Sequence, residues 1–293
     1  MYELISVSPN CFYIESPAKI GLVKLDESRV VLIDSGSDKD AGRKVRQHLD
    51  AQGWKLEAIY CTHSNADHIG GCQYLQKQTG CSIYAPGIEQ AITAHTVLEP
   101  SFLYGGYPFK ELRNKFLMAQ SVDCKLLTAE VLPEGWQLIP LPGHFFDMVG
   151  FRTAEDVVYL ADCLSSRETL EKYRIGFIYD VAAYIDTLEK VKEMEARVFV
   201  PSHAAAAESV SELAQYNIDV CMEIREKILE LCAQPINSEE LLRQLFKHYG
   251  LTMNIQQHVL VGSTVRSYLG WLKDKGEVEF DFEDEMLMWT RRN

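Results

Sequence analysis

Short apolar runs rich in β-branched and aromatic residues mark the first third of the chain, at residues 11–14, 20–24 and 30–33. Each is bounded by Pro, Gly, Asp or Ser, and such runs predict strands. The third ends in Asp34-Ser35-Gly36, and Asp38 then opens a helical pattern that runs through Leu49 to Gly53. Residues 56–61 predict another strand, residues 71–77 a helix and residues 82–85 a short strand. Alternation of strand and helix predicts an α/β layered domain.

Residues 94–121 break that rhythm. Pro100-Ser101-Phe102-Leu103-Tyr104-Gly105-Gly106-Tyr107-Pro108-Phe109 is aromatic and glycine-rich without clean periodicity. A long irregular loop in a compact domain is usually functional, so the segment is expected to form a lid or pocket wall. A second strand series follows at residues 137–141, 149–153 and 157–161, then a helix over 182–194 and a strand over 197–200. Beyond His203 the pattern turns helical. One long helix is predicted over 208–232, a second is opened by Ser238 as N-cap with Glu239 and Glu240, and a third covers 262–273. Two alternating runs, 277–282 and 285–289, then flank an acidic turn. The expected organisation is one domain over 1–207 and a C-terminal module over 208–293 that resembles a winged helix.

At 293 residues and 47% hydrophobic, the chain can bury a sizeable core. Its net charge of -13 would repel phosphate, which disfavours nucleic acid or an anionic membrane as partner. The C-terminal module repeats this bias, with nine Lys and Arg against fifteen Asp and Glu. That makes it an expected packing or homodimerisation element, with Trp271, Trp289 and Met286 offering apolar contacts. The eight cysteines form no C-x-x-C pair and no apolar leader is evident, so reduced thiols in a cytoplasmic setting are expected. No stretch has the length and apolarity of a membrane span.

The chemistry concentrates in Thr62-His63-Ser64-Asn65-Ala66-Asp67-His68-Ile69-Gly70-Gly71, directly after a predicted strand. Imidazoles, a carboxylate and a carboxamide within six positions are metal-ligand material. Pro142-Gly143-His144, Tyr159-Leu160-Ala161-Asp162 and Val198-Phe199-Val200-Pro201-Ser202-His203 each place a further candidate just past an apolar run. Strand ends are stiff and let side chains converge on one sheet edge.

In this combination the chain resembles the metallo-β-lactamase superfamily, whose H-x-H-x-D-H signature it matches with Asn65 at the second histidine. The resemblance spans about residues 22–203 and implies a four-layer αββα sandwich with two metal sites. His63, Asn65 and His144 would form the first site. Asp67, His68 and His203 would form the second, with Asp162 bridging. Zinc is the expected ion, one or two per chain. One is expected to be held tightly by Asp67, His68, Asp162 and His203, with its partner site weak or empty. The oxygen-rich second site also suits manganese or iron. Asn65 is a harder, weaker ligand than imidazole and lowers the expected affinity of the first site.

Asp67 and Asp162 are the expected catalytic carboxylates. A metal-bound hydroxide would attack a small ester or thioester, resembling the glyoxalase II-like and thioesterase-like group. The alternatives are a nuclease of the same fold, or a metal-binding sensor or scaffold with weakened chemistry. Asp34 is expected either to hold the motif loop by hydrogen bonds or orient a ligand histidine, or simply to cap a turn. Gly70 and Gly71 are expected to let the next helix start close to the metals. Tyr104 and Tyr107 are candidate pocket residues that could donate to a substrate oxyanion. Ser64 has no base placed for it outside the ligand set.

Overall fold

The computed structural model describes residues 2–292. Strands β1 (Leu4–Ser6), β2 (Cys11–Ile14), β3 (Ile20–Lys24) and β4 (Arg29–Ile33) pair antiparallel in chain order. Helix α1 (Lys39–Gln52) then returns the chain so that β5 (Lys55–Tyr60) lies parallel to β4. Asp38 caps α1 by accepting the Asp40 and Ala41 amides, and Ala41, Val45 and Leu49 supply its buried stripe. Two short helices, α2 (Ala66–Ile69) and α3 (Cys72–Thr79), lead to β6 (Ser82–Ala85). After α4 (Gly87–Ala94) and α5 (Leu98–Tyr104), β7 (Lys125–Leu126) completes a seven-stranded sheet.

The second sheet has the order β11-β10-β9-β8. Strands β8 (Gln137–Pro140), β9 (Val149–Arg152) and β10 (Val157–Ser165) are antiparallel neighbours. Helices α6 (Arg167–Tyr173) and α7 (Val181–Lys192) carry the crossover to β11 (Val198–His203), parallel to β10. Strand β10 is buried along nearly its whole length, as its continuous apolar run requires.

Three apolar clusters define four layers. Val45, Leu49 and Leu75 pack α1 and α3 on the outer face of the first sheet. Tyr13, Val31, Tyr60, Phe151, Tyr159 and Val200 fill the space between the sheets. Leu160, Leu164 and Phe199 on the second sheet meet Leu188 of α7 on the opposite face. The result is the expected αββα sandwich. Phe151 is fully buried at its centre, and cutting such a ring back to alanine costs about 3–5 kcal/mol.

The C-terminal segment forms α8 (Ser211–Leu231), α9 (Ser238–His248), α10 (Ile255–Asp274) and the hairpin β12 (Val278–Glu283) with β13 (Met286–Arg291). Val220, Ile224, Leu245, Tyr268 and Leu272 belong to the same apolar cluster as Leu160 and Phe199. The helical extension therefore packs on the outer face of the second sheet through one continuous core.

Three local expectations are corrected. The N-cap of α9 is Asn237, whose side chain accepts the Glu240 amide, rather than Ser238. Helix α10 starts at Ile255, where Asn254 caps it by accepting the Gln257 amide, and the sequence hides this start because Gln256, Gln257 and His258 show no apolar period. Residues 94–121 contain α5, with Pro100 in its first turn, where a missing N–H costs little. Among the described residues, no helix is long and apolar enough to cross a membrane.

Candidate metal centre

Each ligand candidate is delivered by an element of the two-sheet scaffold. The segment from His63 to His68 leaves the end of β5, His144 follows β8, and His203 is the last residue of β11. Asp162 lies inside β10, and its direction depends on a defect there. Ala161 adopts the left-handed region at φ 50, where the pairing of β10 with β11 loses register. Such a bulge re-aims the following side chain at a local strain cost. Gly143 serves similarly before His144: its φ is 119, and a Cβ there would lie 2.2 Å from the Tyr184 amide nitrogen. Gly71 lets α3 approach the β4 end, since a Cβ would stand 2.4 Å from the Ser35 carbonyl oxygen.

All four histidines commit Nδ1 outside the cluster. His63 Nδ1 lies 2.9 Å from Thr62 Oγ1, and that hydroxyl donates to Asp34 Oδ2 at 2.8 Å. His68 Nδ1 lies 2.8 Å from Asp34 Oδ2, as expected of a histidine-orienting carboxylate. His144 Nδ1 faces the Phe177 carbonyl at 3.0 Å, and His203 Nδ1 faces the Pro17 carbonyl at 2.9 Å. Acceptors in these positions place one proton on Nδ1 and leave Nε2 as the atom that takes either a second proton or a metal.

Those Nε2 atoms surround Asp162. Its Oδ1 is 3.0 Å from His68 Nε2, and its Oδ2 is 3.0 Å from His203, 3.6 Å from His144 and 4.0 Å from His63. Asp67 Oδ2 is 3.5 Å from His203 and 3.8 Å from His68. Two ligand groups result, Asp67–His68–Asp162–His203 and His63–His144–Asp162, and they share Asp162. His63 Nε2 is buried without a hydrogen-bond partner, and His68 Nε2 and Asp162 Oδ1 are buried with nothing but each other at 3.0 Å. Under-satisfied polar atoms converging in a buried pocket carry a large desolvation cost, and a divalent cation cancels it. Burial opposes charge on His203, yet Asp162 and Asp67 outweigh it and hold the imidazole up at about 10. A bound cation would take the place of that proton. The donor set fits a divalent metal.

Asn65 joins this geometry through its two amide ends. Oδ1 is 3.0 Å from His144 Nε2, and Nδ2 donates to Glu99 Oε1 at 2.7 Å. Glu99 is buried on α5, and burial pushes its carboxyl well above the usual range. A second buried acid, Glu89 on α4, accepts the Ser64 amide and hydroxyl through Oε2 and the Asp147 amide through Oε1. The reading that Ser64 has no base nearby is thus corrected, although Ser64 is fully buried and Glu89 clamps its loop to the His144 loop. Both acids escaped sequence reasoning because each is a lone glutamate in an unremarkable window. The only available signal was an acid on the apolar side of a short helix, one turn before Ile92 or Leu103.

Tyr104 and Tyr107 find their partners within their own segment and not in the ligand groups. They are 47% and 73% exposed, with Tyr104 against Phe109 and Tyr107 accepting from Arg113. Helix α5 turns Glu99 and Leu103, one turn apart, inward, which leaves Tyr104 outside. The aromatic residue of this segment near the site is Phe102, stacked edge-on against Phe145, Phe146 and Tyr179.

Comparison with known proteins agrees with this geometry. The family model described as "Metallo-beta-lactamase superfamily" matches residues 13–203. A hydroxyacylglutathione hydrolase of Bradyrhizobium sp. (strain ORS 278) is 30% identical over 131 residues, covering 43% of this chain and 41% of that protein. The chain thus spans less than half the length of that curated relative. A beta-lactamase domain protein from Burkholderia ambifaria superposes with a TM-score of 0.76 at 15% identity, over 99% of this chain and 94% of the other. A metallo-beta-lactamase family protein from Thermus thermophilus gives 0.75 at 17% identity, over 98% and 100%. These two likenesses extend the shared fold through the C-terminal helices. The matched span reaches from β2 to His203 and contains every ligand candidate, so the chain belongs to the metallo-beta-lactamase superfamily.

Proposed function

We propose that the protein is a metal-dependent hydrolase of small esters or thioesters, with zinc as the ion and manganese or iron as substitutes. The observation that carries this reading is the convergence of four histidine Nε2 atoms on the shared carboxylate Asp162. Divalent ions held there would supply Lewis acidity and a water acidified toward neutrality. Asp162 belongs to both ligand groups and would fix their spacing. Asp67, whose side chain is 42% exposed, is the carboxylate open to a proton released by the attacking water.

The thioester preference is supported by what the Bradyrhizobium relative is named for. The size limit is supported by a cavity of about 60 Å³ beside the ligands. His144, Asp162 and His203 line one part of it, and Ile178, Ile224 and Tyr268 another. An engineered apolar cavity of roughly 150 Å³ holds benzene, so this space suits an acyl group of about two or three carbons. A nucleic-acid strand is disfavoured because the net charge of -13 opposes its approach.

The test is turnover of a panel of short-chain thioesters and esters, beside single-stranded RNA, by the zinc-loaded and manganese-loaded protein. Metal-dependent release of thiol or alcohol supports the reading. RNA cleavage without ester turnover, or no turnover with either ion, overturns it.

A further inference from the structure

We propose that Glu99 is the positioning residue that makes Asn65 a working ligand of the first metal site. The proposal rests on the cation reading of the centre and is independent of the substrate. The reasoning starts at His144. Its Nδ1 proton goes to the Phe177 carbonyl, so Nε2 is an acceptor, and that acceptor faces Asn65 Oδ1 at 3.0 Å. Two acceptors at hydrogen-bond distance repel each other unless a cation joins them. Metal–ligand bonds of about 2.0–2.2 Å hold adjacent ligand atoms roughly 3–3.6 Å apart, and the 3.0 Å seen here lies at the short end of that range.

A carboxamide can present either end, and something must choose. Glu99 does so: Oε1 accepts a hydrogen bond from Nδ2 at 2.7 Å, and that leaves Oδ1 pointing toward His144. Glu99 is 3% exposed, so water does not compete for that proton. The neighbouring Leu103 and the fully buried Leu112 and Leu117 anchor the segment that carries it. A histidine in place of Asn65 would need no such selector, because imidazole offers a ring nitrogen and not a choice between carbonyl oxygen and amine. The substitution at residue 65 and the buried acid at residue 99 therefore form one device. It converts an imidazole site into an oxygen-containing site.

The experiment is zinc titration of the full chain after metal removal, with elemental analysis of the product and cobalt(II) as a spectroscopic probe. The wild-type chain is expected to bind two ions. Glu99→Ala is expected to keep the second-site ion and to bind the other about 10–100-fold more weakly. Glu99→Gln retains an acceptor oxygen and recovers most of that affinity, and the cobalt absorption of the weaker ion vanishes in the first variant and returns in the second. Two ions bound by Glu99→Ala with wild-type affinities overturn the proposal, and so does a wild-type chain that binds one. A wild-type chain that binds none overturns the cation reading beneath it. If Glu99→Ala binds nothing and has lost its thermal transition, Glu99→Asp, with its acceptor drawn back by one methylene, decides the question on the same terms.

Discussion

Asp34 and His68 are joined by a 2.8 Å contact between Oδ2 and Nδ1, although 34 residues separate them along the chain. The same carboxylate takes the Thr62 amide at 2.7 Å and the Thr62 hydroxyl at 2.8 Å, and that hydroxyl in turn receives His63. One side chain thereby sets the tautomer of a histidine in each ligand group. Asp34 itself sits at φ 63, a conformation that an aspartate tolerates at a cost. Asp34→Ala should weaken metal binding at both sites, by about 10–100-fold at the second. Competition against a chromophoric chelator measures this directly; an affinity equal to wild type would contradict the role given to Asp34.

Glu89 makes stability depend on pH. Burial pushes its carboxyl up to about 7 from an ordinary value of 4.5. The folded chain therefore holds a proton that the unfolded chain has released between those two values. Its contribution is fully present below pH 4.5 and falls as the pH rises through 7. The loss amounts to about 3 kcal/mol, and Glu89→Gln should remove it. Urea unfolding of the metal-free chain at pH 5 and pH 8 gives the comparison. The wild type should lose more stability between the two pH values than the variant does, and equal losses would refute the assignment.

The acids around the centre show what the sequence made legible and what it hid. His63, Asp67, His68, His144, Asp162 and His203 stood out because each follows an apolar run and the fold gathers strand ends on one edge. Asp34 was visible for the same reason. Glu89 and Glu99 were not, since their meaning depends on Ser64 and Asn65, which are 25 and 34 residues away. Helix α5 was hidden by Pro100 and by an acid on its buried side, both of which spoil an amphipathic pattern. The aim of Asp162 depends on the backbone at Ala161, and no residue type announces a left-handed alanine.

The cavity predicts substrate length. Ile224 is 2% exposed and lines the cavity together with Ile178 and Tyr268. Ile224→Ala should move the preferred acyl chain longer by about one or two carbons, at a stability cost of about 2–5 kcal/mol. The profile of kcat/KM against chain length checks this. Turnover with an unchanged profile would place the acyl group elsewhere, whereas no turnover in the wild type would reject the hydrolase reading itself.

Asp162 is the residue on which both ligand groups depend, with contacts of 3.0 Å to His68 and His203 and of 3.6 Å to His144. The most direct test of the account is therefore the number of divalent ions per chain, measured by elemental analysis on reconstituted wild-type and Asp162→Ala proteins side by side. The account predicts two ions in the wild type and loss of affinity at both sites in the variant. Fewer than two in the wild type, or two retained without Asp162, would contradict it.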